Sequence, residues 1–274
     1  MSQDKMTQGK MSQDMPTQDI LYEVSEGVGR ITFNRPQARN AFTFKMYERL
    51  AGICREAAAN SSVKVLVLTG ADEKAFAAGT DISEFRNFST AQDAMDYEAR
   101  INSLLDSFER IPIPTIAAIA GPCTGGGAAI AACCDIRIGA ANARFGVPIA
   151  RTLGNCLAMP NYVRLTALLG PARVKELIFT ARLLDSAEAC AIGLLSEVLP
   201  DYAALQNRAE ELARTVAANA PLTLRVTKEA IRKIKERMTP EEDRQMILTC
   251  YLSNDFREGL EAFLNKRPPK WTGT

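Results

Sequence analysis

The 274-residue sequence predicts an α/β fold: a largely parallel sheet with covered faces, followed by a C-terminal helical region. Three observations point there. Near-continuous apolar runs, VKVLVLT at residues 63–69 and TIAAIA at 115–120, are what strands buried on both faces look like. These runs alternate with segments of helical apolar spacing, the arrangement that builds a sheet flanked by helices. Beyond Met159 almost every segment has helical spacing. A composition of 47% hydrophobic and 24% charged residues suits one sizeable core plus a small appendage.

Taken in order, the chain opens on a near-repeat, MSQDKMTQ at residues 1–8 and MSQDMPTQ at 11–18. It is polar and lacks apolar periodicity, so residues 1–18 read as a disordered tail. Residues 20–24 and 29–33 read as two strands of a hairpin, which Asn34-Arg35-Pro36 ends. Residues 43–59 form a helix with Met46, Leu50 and Ile53 on one face. Then follow a strand at 63–69, a helix at 92–108, and strands at 115–120 and 136–139. Helices are expected at 159–169, 172–180, 186–192, 202–219, 221–237, 240–252 and 256–266. The expected organisation is a core over residues 19–200 and a helical region over 201–274.

The bulk numbers exclude several classes of function. With 33 basic and 32 acidic residues the net charge is +1, which gives no electrostatic case for nucleic acid or an anionic membrane. No apolar run reaches the ~20 residues of a membrane helix. With no signal-peptide pattern either, a cytoplasmic location is expected. Seven cysteines without a C-x-x-C pair read as free, buried thiols. Histidine is absent altogether, which removes Ser-His-Asp and Cys-His nucleophiles, histidine bases and most zinc sites; no metal is expected.

The most informative stretch is residues 111–148, IPIPTIAAIAGPCTGGGAAIAACCDIRIGAANARFGVP. It reads as a buried strand, a triple-glycine turn, a small-residue helix, a second strand and a turn. Glycines that open a helix leave approachable, unpaired N–H groups, and such groups suit a developing oxyanion. Two further segments accompany it: NRPQARNAF at residues 34–42 and KAFAAGTDISEF at 74–85.

In this order and spacing the three segments resemble the crotonase family, the enoyl-CoA hydratase/isomerase superfamily. The resemblance continues through residues 168–200 and 258–267 and covers nearly everything after Ile20. It implies a ββα superhelix, a spiral core with a C-terminal helical region, assembled as a homo-trimer or hexamer. It also implies an acyl-CoA substrate, with CoA present only as part of that thioester and no permanently bound cofactor. The backbone N–H groups that would hold the thioester oxygen fall on Thr80 and Gly126. The CoA contacts fall on Ala38, Arg39, Ala78, Ile82, Phe263 and Lys266, with Arg39 and Lys266 as partners for the phosphates. Asp81 has two readings: a helix-capping acid, with Glu84 three residues on completing a capping box, or a carboxylate near the thioester.

The sequence also departs from the family. Where hydratases carry one glutamate two residues after the glycine run, this chain has Ala129. Where they carry the second, after the F-G-x-P turn, it reads Ile149-Ala150 in a segment one residue longer. Hydration needs a base for water and an acid for the α-carbon, so ordinary hydratase activity is not expected. Arg151, Asn155, Cys156, Asn161 and Tyr162 lie in the altered segment. Of these, Arg151 is a candidate partner for a substrate carboxylate and Tyr162 a candidate proton donor, against a structural role for each. The expected function is a lyase or isomerase that stabilises a thioester enolate. The rival is a non-catalytic CoA-binding or assembly protein of the same fold, and thioester hydrolysis is a third reading.

Overall fold

The computed structural model describes residues 19–86, 88–235, 248 and 251–270. The N-terminal near-repeat, most of the helix expected at 240–252, Met246, Ile247 and Cys250 lie outside the described residues.

Six strands form the main sheet in the order β1-β2-β3-β4-β6-β9. They are β1 (Ile20–Ser25), β2 (Val28–Phe33), β3 (Val65–Gly70), β4 (Thr115–Ile119), β6 (Ile136–Ala140) and β9 (Glu197–Leu199). The hairpin β1–β2 is antiparallel and every later pairing is parallel, with Leu66 opposite Thr115 and Ile116 opposite Ile136. Between them run the crossover helices α1 (Phe44–Ala59), α2 (Ala91–Glu109) and α3 (Gly126–Cys133).

The apolar runs sort by the two-residue period of a strand. Ile31, Phe33, Leu66, Leu68, Ala117 and Ile119 pack into one cluster with residues of α1, α2 and α3. Their neighbours Val65, Val67, Ile116, Ala118 and Ile138 face the other way, onto Leu205, Ala209 and Ala213 of α8 (Tyr202–Ala217). Both faces of the sheet are covered, which is why the strands read as unbroken apolar runs. Asp135 ties β4 to β6 by accepting from Thr115 N–H at 2.8 Å and Thr115 Oγ1–H at 2.9 Å.

A second sheet joins β5 (Pro122–Thr124), β7 (Arg144–Gly146) and β8 (Leu184–Asp185) in the order β5-β7-β8. Neither it nor β9 was expected from the sequence. Strands of two or three residues are too short to show a period, and β8 runs straight into a helix. The remaining helices are α4 (Ile149–Thr152), α5 (Met159–Leu169), α6 (Pro171–Thr180), α7 (Ser186–Ala191), α9 (Pro221–Lys235) and α10 (Asn254–Leu264). α10 and the helical residue Tyr251 before it fold back over the core, where Tyr251, Phe256 and Leu260 pack with Phe85, Ala94 and Leu153. Tyr251 and Leu260 are thus buried by the chain itself. Among the described residues no helix is long and apolar enough to cross a membrane.

Candidate active site

The segment NRPQARNAF folds as a tight cradle. Asn40, fully buried, accepts from Arg35 N–H at 2.8 Å and donates to the Ala75 carbonyl at 2.8 Å, which fastens the turn to the loop after β3. Arg39 and Asn40 both hold positive φ. Arg39 O accepts from Ala78 N–H at 3.0 Å. One residue further, Phe42 and Thr80 form a parallel bridge: Phe42 N–H donates to Gly79 O, and Asp81 N–H donates to Phe42 O, each at 2.8 Å. In that pattern the residue between the two contacts turns its own N–H the opposite way, so Thr80 N–H points away from Phe42.

It points toward the start of α3. Ala77 bridges Cys123, and Gly127 lies so close to Ala77 that a Cβ there would stand 2.2 Å from its carbonyl oxygen. Gly126 is the first residue of α3, so its N–H has no acceptor within the helix. A Cβ on Gly126 would lie 3.3 Å from Thr80 N. Gly126 at the helix start therefore lies beside the Thr80 backbone of the loop.

Hydroxyl groups surround this pair. Thr80 Oγ1 lies 2.9 Å from Tyr47 Oη and 3.3 Å from Tyr97 Oη. Burial, with the nearby Glu98 charge, pushes the Tyr47 phenol up to about 12, despite the opposing hydrogen bond to Thr80. Burial, then the neighbouring Tyr47 and Glu98, puts Tyr97 well above its ordinary value. Both phenols thus stay protonated at neutral pH. Glu98 is only 5% exposed, and Tyr251 Oη donates to its Oε1 at 2.6 Å. Asn155 Nδ2 donates to the same Tyr251 oxygen at 3.2 Å, while Asn155 Oδ1 is buried with no hydrogen-bond partner among the described residues.

All of these line one cleft of about 840 Å³. Of the residues singled out in the sequence, Thr80, Gly126, Asp81, Ala38, Arg39, Ala78, Ile82, Phe263 and Lys266 line it together. Arg39, Phe263 and Lys266 are exposed at its rim, whereas Tyr47, Glu98 and Tyr251 are buried inside. Arg39 and Lys266 form no ion pair with any described residue. Lys266 lies just past α10, which ends at Leu264 rather than at 266.

Of the remaining candidates two lie off the cleft lining, and Asp81 takes the capping role that was one of its two readings. Arg151 is exposed on α4 and does not line the cleft. Tyr162 packs partly buried against the main core cluster and is not among the lining residues either. Asp81 does line the cleft, but its carboxylate is committed. It caps the following turn by accepting from Ser83 N–H and Oγ1–H, and it pairs with Arg35 at 2.7 Å. Burial alone would raise its pKa, yet the hydrogen bonds from Ser83 and Arg35 outweigh that and hold it below the usual value. The expected capping box does not form. Asp81 N–H goes to Phe42, and Glu84 accepts from Phe44 N–H at 3.4 Å.

Ala129 and Ile149 both line the cleft and add apolar surface to it. The polar inner group of Tyr47, Tyr97, Glu98 and Tyr251 was not singled out in the sequence. A signal for Glu98 existed. It falls on the apolar stripe of α2 with Ala94, Ile101, Leu105 and Phe108, where a carboxylate costs free energy unless it is paired. Among the described residues no group of histidine, cysteine, aspartate or glutamate could hold a metal ion.

The fold and the cleft can be set beside those of known proteins, and the comparison identifies a family. The enoyl-CoA hydratase/isomerase family model matches residues 23–274. The short-chain-enoyl-CoA hydratase of Clostridium acetobutylicum is 34% identical over 258 residues, covering 92% of this chain and 97% of that protein. A crystal structure of an enoyl-CoA hydratase/carnithine racemase from Magnetospirillum magneticum is 34% identical with a TM-score of 0.76, covering 94% and 96% of the two chains. Methylmalonyl-CoA decarboxylase in complex with 2-nitronate-propionyl-CoA is 26% identical with a TM-score of 0.85, covering 94% and 99%. This chain belongs to the enoyl-CoA hydratase/isomerase family.

Proposed function

We propose that the chain is an acyl-CoA-processing enzyme that stabilises a thioester enolate between the Thr80 and Gly126 N–H groups. The observation that carries this reading is the cleft itself: unpaired cations at the rim and Gly126 beside the Thr80 backbone at the inner end. Enolate formation moves charge onto the thioester oxygen. Fixed amide dipoles stabilise that charge without reorganising, each donor contributing roughly 3–4 kcal/mol. The rim cations suit the phosphates of CoA, and Ala78 and Ile82 offer an apolar seat for its adenine. The only CoA required is the substrate's own.

Simple hydration of an enoyl-CoA is not the expected reaction. With Ala129 and Ile149 at the two acid positions, hydration of crotonyl-CoA falls about 10⁴-fold or more below that of an ordinary hydratase, at 10²–10⁴ per positioned group. The likeness to methylmalonyl-CoA decarboxylase supports a lyase or isomerase whose common requirement is the enolate. Calorimetry with crotonyl-CoA tests binding, and loss of the enoyl-thioester absorbance tests hydration. Absence of binding at millimolar ligand overturns the reading. Binding without turnover across a panel of acyl-CoA esters favours the rival, a non-catalytic CoA-binding protein, which the apolar walls at 129 and 149 would suit.

A further inference from the structure

We propose that Glu98 is the residue that moves the substrate α-proton in this chain, with Tyr251 and Asn155 positioning it; this rests on the thioester reading above. Among the described residues two carboxylates line the cleft, Asp81 and Glu98. Asp81 is engaged by Arg35 and Ser83. The tyrosines are poor bases because burial, chiefly, keeps Tyr47, Tyr97 and Tyr251 protonated. Ala129 and Ile149 carry no proton, and Arg151 and Tyr162 lie off the cleft.

Glu98 meets the geometric requirements. It lines the same cleft as Thr80 and Gly126. Its charge is felt by both Tyr47 and Tyr97. The 2.6 Å bond from Tyr251 fixes its orientation. Because Tyr251 gives its proton to Glu98, its oxygen must accept from Asn155 Nδ2. That in turn leaves Asn155 Oδ1 as a buried acceptor without a hydrogen-bond partner among the described residues. A buried amide oxygen without a partner is costly to stability.

The step balances without a co-reactant. The Glu98 carboxylate takes the proton from the α-carbon, and the C–H electron pair becomes the double bond between the α-carbon and the thioester carbon. The carbonyl π pair moves onto the oxygen held by Thr80 and Gly126. Return of a proton from the Glu98 carboxyl reverses it, and in heavy water the returned nucleus is a deuteron.

The test is deuterium incorporation at the α-carbon of butyryl-CoA in D₂O, followed by mass spectrometry, with calorimetry of butyryl-CoA binding alongside. The intact protein is expected to exchange well above the buffer rate. Glu98→Gln should lose at least ~10²-fold of that rate with affinity within threefold, and Glu98→Asp should recover part of it. Tyr251→Phe keeps the carboxylate and should lower the rate at saturating ligand about tenfold without weakening binding, which general loosening of the fold would not do. No binding of butyryl-CoA overturns the thioester reading as a whole. Binding with no exchange above buffer overturns the assignment of Glu98 alone, as does a folded Glu98→Gln that exchanges like the parent. Should Glu98→Gln fail to fold, an unchanged rate in Tyr251→Phe overturns the assignment, and a tenfold loss supports it.

Discussion

At the scale of single residues the anion site leaves no room for a side chain. A Cβ on Gly126 would stand 2.1 Å from Tyr47 Oη and 3.0 Å from Thr80 Oγ1. Tyr47 cannot retreat easily, since it is buried and its ring packs on Phe42 with centroids 4.9 Å apart. Gly126→Ala should therefore cost about 1–3 kcal/mol of stability and abolish most α-proton exchange by tilting the helix start. Tyr47→Phe removes the obstructing oxygen at the cost of one hydrogen bond, about 1 kcal/mol. The double variant should be more stable than the sum of the single losses, which urea denaturation of all four proteins would measure; strict additivity would mean the two groups do not touch. Asp81 gives a pH signature. Its folded-state pKa lies below the ordinary 3.8, so its contribution is present above 3.8 and is lost as pH falls from there through the folded value. Asp81→Asn should destabilise by on the order of 1 kcal/mol at neutral pH, and the gap to the parent should close below about pH 3.8.

At the scale of elements the cleft is a meeting of loops and helix starts. The turn at residues 34–42 supplies the rim, the loop at 77–81 supplies one N–H, and α3 supplies the other. Rim charges act mainly by attraction across solvent, so Arg39→Glu and Lys266→Glu should each weaken CoA-thioester affinity about threefold to tenfold at low salt. The effect should shrink as ionic strength rises, because exposed charges are screened; titrations at two salt concentrations would check this. Much of this arrangement was legible beforehand. Long elements announced themselves through period: α5 was expected over residues 159–169 and occupies Met159–Leu169. The glycine turn was legible because close backbone approach demands small residues, whereas Thr80 was singled out only through the family resemblance. Arg151 and Tyr162 were misplaced for a physical reason. Sequence shows that both lie in the altered segment, but not which side of α4 and α5 meets the cleft. Tyr251 reaches Glu98 from 153 positions away in the chain, a closure that no local pattern encodes. Glu98 itself was readable as a carboxylate on an apolar stripe.

At the scale of the whole molecule, several apolar side chains of α9 and α6 are left exposed by the described residues. α9 is anchored on one side, where Lys228 donates to Ile113 O at 3.0 Å and pairs with Asp135 at 2.8 Å. Its Leu222, Val226 and Ile231 are all more than half exposed, and Phe179 at the end of α6 is 78% exposed. Leu222 and Val226 are four residues apart, so they share one face of the helix. Leaving such side chains in water forgoes roughly 1.5–3 kcal/mol for each that a partner could bury. The inner cleft is completed by the chain's own residues, so assembly is not needed to supply Glu98 or the N–H pair. We therefore expect a homo-trimer or hexamer whose contacts include α9, and light scattering at micromolar concentration should return three or six times the 29.9 kDa chain mass. Leu222→Asp with Val226→Asp should lower that mass by burying charge wherever the face is covered. A monomeric mass for the parent protein would contradict the expectation. A parent oligomer left unchanged by the double substitution would move the interface away from α9. Because the cleft is built within one chain, the dissociated variant should still bind acyl-CoA, and calorimetry on it separates assembly from recognition.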